Sequence, residues 1–329
     1  MSDTPQHIVA LSGGVGGAKL ALGLARLLPD DVLTIVANTA DDFQHMGLHI
    51  SPDIDTLLYT LSDLANPETG WGRKDETWQF MAVLGELGGE TWFNLGDGDL
   101  ALHVLRTAQL SEGRSLGEVT GDIAKSMGIT VNVIPMSDDP VRTMVKTEGG
   151  DLSFQHYFVR DRCEPVVTGF AFDGIDTARP HKTLIRQLSS GKLGAVIICP
   201  SNPFVSVDPI LQLNGVRNVL RETAAPIVAV SPIIGGQAVK GPAAKMMKEL
   251  GMPVSALGVA GFYQGLIDGF VIDERDEADV AAIEALGMKV HVTQTFMKTL
   301  HDREVLAAAT LDFAAALSNP SGPESTGKP

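Results

Sequence analysis

Aromatic residues make up 5% of this 329-residue chain, cysteines number two, and basic residues are outnumbered by acidic ones, 25 to 40. Each shortage excludes something. Cys163 and Cys199 lie far apart and match neither a zinc spacing nor a disulfide framework, which argues for a reducing, cytoplasmic setting. A net charge of −15 gives no general field for holding nucleic acid, so an anionic ligand needs local cations, backbone amides or a metal ion. No apolar run approaches the roughly 20 residues that span a bilayer. The longest, around LGAVIICP, has the length of a buried strand. The opening MSDTPQHIVALSGG lacks a basic stretch followed by an apolar one, so no signal peptide is expected.

What is plentiful is glycine, at 35 residues, in a chain that is 44% hydrophobic, enough for one large core or two smaller ones. Residues 7–12 (HIVALS) read as a buried parallel strand, 18–28 as an amphipathic helix and 32–38 (VLTIVAN) as a second strand. That is a βαβ unit, which implies a parallel sheet with right-handed crossovers. Further strands are expected at 195–199, 226–230, 254–257, 270–273 and 289–292, with helices at 210–223, 243–250, 263–268 and 278–286. Between 57 and 160 the pattern changes to helical stretches such as 76–87 and 100–113, with strand character only at IPMSD and the alternating LSFQHYFV. The expected architecture is a Rossmann-like, doubly wound, mostly parallel α/β sheet. Its core spans residues 1–56 and 161–317, a largely helical insertion at 57–160 covers the C-terminal edge of the strands, and 318–329 form a disordered tail.

Six segments are candidates for chemistry. In LSGGVGGAKL, Gly13, Gly14, Gly16 and Gly17 join a strand to a helix, and Lys19 sits in the first turn. Glycine permits close backbone approach and φ > 0, and a helix N-terminus presents free N–H groups to an anion. The loop is neither a Walker loop nor a full dinucleotide fingerprint, because the lysine lies between Ala18 and Leu20 and the third fingerprint glycine is missing. In NTADDFQHMGLHISPDIDT, the carboxylates Asp41, Asp42, Asp53 and Asp55 crowd a loop at a strand end, where open sheets bind ligands. They suit a hard divalent cation, a general base or, for Asp53, a helix cap. In NLGDGDLALHVLR, Asp97 and Asp99 precede an amphipathic helix; capping accounts for Asp99, and His103 reads as a structural histidine. Asp138 and Asp139 beside Pro140 fit a turn. The late loops CPSNPFVSVDPI and SPIIGGQAVKGPAAKMM offer Ser201, Asn202, Ser206, Gly235, Gly236, Gly241 and Lys245 at strand ends, like a second anion site opposite the first.

Taken together, SGGVGGAK, NTADDF, SPDIDT, WGRKDETW, LGDGDLALH, PMSDDPV, PSNPFVSVDPI and SPIIGGQAVKGPAAKM occur in an order that resembles the 2-phospho-L-lactate transferase family of deazaflavin coenzyme F-420 biosynthesis. The resemblance runs from about Ile8 to Ala316. It implies a transferase in which the hydroxyl of the deazaflavin Fo attacks a phospho-three-carbon acid carried on a guanylyl diphosphate, with Mg2+ as cofactor and GMP as leaving group. By position, the resemblance puts Asp55, Thr56 and Asn94 at the deazaflavin; relatives often have lysine where Asn94 stands. It puts Gly13, Gly14, Gly16, Gly17, Lys19, Ser201, Asn202, Ser231 and Lys245 at the nucleotide and its phosphates. It gives Asp41, Asp42, Asp53 and Asp55 as metal ligands, with Asp42 and Asp55 as catalytic residues. It also implies a homodimer acting on small molecules in the cytoplasm, with no nucleic acid or membrane partner. The acid, phospholactate, phosphoenolpyruvate or phosphoglycerate, is left open. The competing reading is a nucleotide-sugar-binding regulatory protein of the same superfamily without transfer chemistry; a dehydrogenase ranks last, because Asn38 stands where an acidic residue would close the second strand.

Overall fold

The computed structural model describes residues 6–239 and 241–318. In β1 (His7–Ser12), Val9 and Leu11 join one hydrophobic cluster and Ile8 and Ala10 another. The same alternation recurs along the other central strands, so the sheet is apolar on both faces and must be covered on both. The chain does this by winding twice. It runs through α1 (Gly14–Leu27) to β2 (Leu33–Ala37), then through the hairpin β3 (Phe43–His45) and β4 (Leu48–Ile50) into α2 (Pro52–Leu61), α3 (Gln79–Glu86), α4 (Asp97–Ser111) and α5 (Leu116–Ser126), and reaches β5 (Asn132–Pro135). An antiparallel sheet follows, built from β6 (Arg142–Thr147), β7 (Gly150–Ser153) and β8 (Val167–Asp173). Then come α6 (Lys182–Leu188), β9 (Leu193–Ile198), α7 (Asp208–Gln212), α8 (Val216–Glu222), β10 (Ile227–Val230) and the small hairpin β11 (Ile233–Ile234) and β12 (Gln237–Ala238). The chain closes with α9 (Ala243–Glu249), α10 (Ala256–Phe262), β13 (Gly269–Ile272), α11 (Val280–Glu284), β14 (Lys289–Val292) and α12 (Leu300–Ser318).

Seven parallel strands form the central sheet in the order β14-β13-β10-β9-β1-β2-β5. The order reverses between β1 and β9, so the loops leaving these two strands diverge to opposite faces and open a crevice at their C-terminal ends. The α/β class and its doubly wound parallel sheet are as the sequence led us to expect.

Several finer expectations change. β5, inside the span expected to be an insertion, pairs with β2 and closes the edge of the central sheet. α2 runs across the expected boundary at 56/57, and the β6–β7–β8 sheet runs across the one at 160/161. Helices α3, α4 and α5 do fill much of that span, and α3 packs on the β3–β4 hairpin through a small separate core around Ile50, Met81 and Leu95. Residues 254–257 are no strand, and 263–268 no helix: Ser255 accepts a hydrogen bond from the Gly258 amide and starts α10 between them. The alternating LSFQHYFV ends as strand at Ser153 and turns helical over His156–Arg160, where Phe154 and Phe158 stack at 5.4 Å on one face. The expected tail lies outside the described residues except for Ser318, the last residue of α12. No helix of the described residues is long and apolar enough to cross a membrane.

Candidate active site

The crevice is lined first by the glycine loop. The Gly13 amide donates to Ser201 Oγ at 3.1 Å and the Gly14 amide to Asp53 Oδ1 at 2.7 Å. Asp53 therefore satisfies the start of α1, thirty-nine residues away, rather than its own helix. Gly14 has φ +65, the left-handed conformation that favours glycine. The other glycines are needed for close approach. A Cβ on Gly13 would lie 2.5 Å from Ser206 Cβ and 2.8 Å from Asp53 Oδ2, and one on Gly17 would meet the hydroxyls of Ser12 and Ser201 at 2.6 and 2.7 Å. Glycine thus lets α1 lie directly on the Ser-Asn-Pro loop after β9. The buried Ser12 hydroxyl has no hydrogen-bond partner among the described residues.

Beside this loop, the hairpin after β2 presents a group of buried carboxylates. Asp41 accepts from the Thr143 hydroxyl at 3.2 Å, and Gln155 holds its backbone carbonyl, also at 3.2 Å. Asp42 Oδ2 accepts from the Ser51 hydroxyl at 2.7 Å and lies 3.1 Å from His49 Nε2; its Oδ1 is buried and has no partner among the described residues. Asn38, at the end of β2, donates to Asp53 Oδ2 at 2.9 Å. Burial, with the charges of Asp53 and Asp42 added, holds the Asp41 carboxyl well above the usual carboxylate range. Burial also raises Asp53 to about 6, against the hydrogen bonds from Asn38 and Gly14. Three carboxylates repel one another out of water, and one oxygen lacks a donor, which a hard divalent cation taking carboxylate oxygens would relieve. Among the described residues, however, the three ligand atoms that lie within 4.8 Å of one another belong to Asp55, Asp99 and His103, not to these three aspartates.

Asp55, one turn along α2, is held differently. Both of its oxygens accept from the guanidinium of Arg106, which has no exposed surface; Nη1 donates to Oδ2 at 3.1 Å and Nη2 to Oδ1. Arg106 Nη1 also points to the His49 carbonyl at 3.4 Å and to His103 Nδ1 at 3.5 Å. His103 Nε2 lies 3.1 Å from Asp99, which accepts from the Tyr59 hydroxyl at 2.5 Å. Burial raises the Asp55 carboxyl and Arg106 opposes it. At Asp99, burial is outweighed by His103 and Tyr59, which hold it below the usual range. Asp99 therefore caps nothing. The amides of Gly98 and Asp99 at the start of α4 are taken instead by Glu76, at 2.7 and 2.8 Å, while Asp97 accepts from the amides of Gln79 and Phe80 at the start of α3.

The remaining expected residues divide into those near the crevice and those committed elsewhere. Ser201 is bound to Gly13, and Asn202 accepts from the Phe204 amide in the same loop. Ser231 closes a turn after β10 through Ile233. Lys19 donates to the Met297 carbonyl at 2.9 Å. Lys245 donates to the Pro165 carbonyl at 2.9 Å and pairs with Glu249, so its ammonium joins α9 to the β6–β8 sheet. Thr56 is buried on α2. Asn94 lies outside the acid group; it is exposed and lines a groove of about 490 Å³ with Trp78, Met81, Ala82 and Thr91, three residues before the start of α4.

Arg106, Tyr59, His49, Thr143 and Gln155 escaped sequence reasoning. For two of them a signal existed. Asp99, His103 and Arg106 stand at i, i+4 and i+7, and Asp55 and Tyr59 at i and i+4, so each set lies on one helix face. Thr143 comes from β6 and Gln155 from the helical turn after β7, and no local pattern announces them.

With the geometry in place, comparison with known proteins is direct. The family described as 2-phospho-L-lactate transferase CofD matches residues 8–310. A 2-phospho-L-lactate transferase from Methanosarcina acetivorans is 41% identical over 300 residues, 91% of this chain and 96% of that protein. A phosphoenolpyruvate transferase from Kitasatospora aureofaciens is 39% identical over 315 residues, 94% of this chain and 98% of that protein. Among solved structures, a member of the UPF0052 family from Bacillus halodurans superposes with a TM-score of 0.61 at 13% identity, covering 94% of this chain and 100% of that one; this likeness concerns the fold alone.

Proposed function

The chain belongs to the 2-phospho-L-lactate transferase CofD family, and from that premise we propose that it transfers a phosphorylated three-carbon acid from a guanylyl diphosphate carrier to the hydroxyl of the deazaflavin Fo, releasing GMP. The observation that carries this reading is the convergence, at the topological switch point, of a glycine loop, a group of buried carboxylates and the Asp55 helix. A diphosphate-linked donor needs the first two and a hydroxyl acceptor needs the third.

In this reaction an oxygen–phosphorus bond forms between the Fo hydroxyl and the acid-side phosphorus. The bond from that phosphorus to the bridging oxygen breaks, and GMP leaves with the electron pair. The hydroxyl proton passes to a carboxylate and then to solvent. Asp42 and Asp55 are the two carboxylates we assign to the hydroxyl, one to align it and one to take its proton. Asp41, Asp42 and Asp53 would hold Mg2+, which when bound neutralises charge on the diphosphate. We assign the Gly13–Gly17 backbone and the Ser12 and Ser201 hydroxyls to the phosphates; the close packing of this loop and the lack of a partner for the Ser12 hydroxyl among the described residues support the assignment. Relatives bear two different acid names, 2-phospho-L-lactate and phosphoenolpyruvate, at nearly equal identity, so overall likeness does not decide the acid.

The test is to replace Asp42 and Asp55 singly with asparagine. Each variant is expected to lose turnover by orders of magnitude, as followed by mass spectrometry of the phosphodiester product. Near-normal turnover in either would remove that residue from the chemistry.

A further inference from the structure

We propose that Arg106 is the positioning residue of the acceptor half of the site: its guanidinium gives Asp55 the counter-charge that a dication gives Asp41, Asp42 and Asp53, so Asp55 presents an aligned carboxylate to the acceptor and binds no metal. This rests on the transferase reading above and adds a division of labour to it.

The argument begins with burial. A carboxylate as enclosed as Asp55 needs a partner, and a forked guanidinium matches both oxygens in one plane. Each oxygen keeps a second lone pair, so Asp55 can still accept from a hydroxyl. Arg106 is itself fixed by the His49 carbonyl and by His103 Nδ1. With Nδ1 accepting, the ring's proton sits on Nε2, which lies 3.1 Å from Asp99 without hydrogen-bond geometry, and Asp99 is held by Tyr59. Asp99, His103 and Arg106 share one face of α4, so the whole chain of contacts is anchored in a fifteen-residue helix. Asp55, Asp99 and His103 place three ligand atoms within 4.8 Å of one another, the outline of a metal site. The guanidinium already spans both oxygens of Asp55 and faces His103 Nδ1, so the cation of this outline is Arg106. Through His49, whose carbonyl meets Arg106 and whose ring meets Asp42, the same residue sets the acceptor carboxylate relative to the metal-binding hairpin.

Two measurements on the full chain test this, and neither requires turnover. The first is the number of tight Mn2+ ions bound per chain, read by electron paramagnetic resonance. The wild type is expected to hold a single tight site, lost in Asp42→Asn and kept in His103→Gln. A second tight ion lost in His103→Gln or Asp99→Asn would overturn the proposal. The second is Fo affinity, read from the deazaflavin's fluorescence. Arg106→Met is expected to weaken Fo by at least about tenfold, with Arg106→Lys restoring part of it and Mn2+ and GMP affinities unchanged. Fo affinity within about twofold of wild type in Arg106→Met would contradict the proposal, as would an equal loss of Mn2+. Because that variant leaves Asp55 without a counter-charge, Asp55→Asn/Arg106→Met, which removes both charges, serves as the folded control. It should melt above Arg106→Met and still bind Fo weakly; wild-type affinity in it would overturn the assignment. Absence of phosphodiester from the wild type would sink the transferase reading alone and leave the Mn2+ count to decide the role of Arg106.

Discussion

Asp42 is where a single residue exposes the logic of the site. One oxygen is held by Ser51 and His49 and the other has no donor, so the carboxylate is oriented but not saturated. Partners behind a metal-binding carboxylate or imidazole commonly contribute 10- to 100-fold to affinity, so His49→Ala should weaken Mg2+ binding by about that factor, measured by calorimetry. Asp53 supplies a pH signature. Its carboxyl is raised from 3.8 to about 6, so the folded chain binds this proton more readily than the unfolded chain does. For this group alone, stability of the metal-free protein rises as pH falls through about 6, and the gain is complete below 3.8. A metal ion competes with that proton. The increase in melting temperature caused by Mg2+ should therefore be large at pH 7.5 and small at pH 5; equal increases would contradict the assignment. Much at this scale was legible beforehand. The Asp-rich loop and glycine loop stood out by residue type and spacing, and the structure brings them together through Asp53 and Gly14. What they did not declare was partners: Asp53 caps a helix from a different part of the chain, and Asp55 is bound by an arginine fifty-one residues on. Such pairings depend on how helices stack, which no local window contains.

Elements show the same divide between what is local and what is not. Strands β9, β10, β13 and β14 follow from short apolar runs, and α1, α3, α4 and α9 from apolar periodicity and their bounding turns. The failures come where a neighbour decides. β5 is four residues ending in proline, tolerable because it lies at the sheet edge beside β2. Glu76 and Asp97 cap each other's neighbouring helices, α4 and α3 respectively, across a loop. Removing a cap typically costs about 1 kcal/mol, so Glu76→Ala should lower stability by about that amount in chemical denaturation. The glycine loop makes a stronger prediction. A Cβ on Gly16 would collide with the Pro200 backbone carbonyl, which cannot swing aside as a side chain can. Gly16→Ala should cost about 1–3 kcal/mol by overpacking and should also lower donor affinity by displacing α1 from the Ser-Asn-Pro loop. A variant with unchanged melting temperature and donor affinity would show that this contact is not needed.

The whole molecule joins these parts through one topological fact. Because the sheet reverses between β1 and β9, the glycine loop and the Ser-Asn-Pro loop face each other, and the second crossover brings the carboxylates and α2 to the same rim. An acidic protein can then hold a doubly phosphorylated donor only with backbone amides and a cation at that rim, since its overall charge of −15 repels such a ligand. The doubly wound plan was legible from the order of strands and helices; the way β6–β8 reaches over to support Asp41 was not, because it joins residues about a hundred positions apart. The central claim, a metal-assisted transfer of a phospho-acid to Fo, is tested most directly by incubating the purified chain with Fo, Mg2+ and each guanylyl-linked acid in turn and following the products by mass spectrometry. The account predicts that a phosphodiester of Fo and GMP appear together, in equal amounts, with at least one of the phospholactate, phosphoenolpyruvate and phosphoglycerate donors, and that chelation of the metal stops both. Formation of neither product with any of the three donors would contradict it.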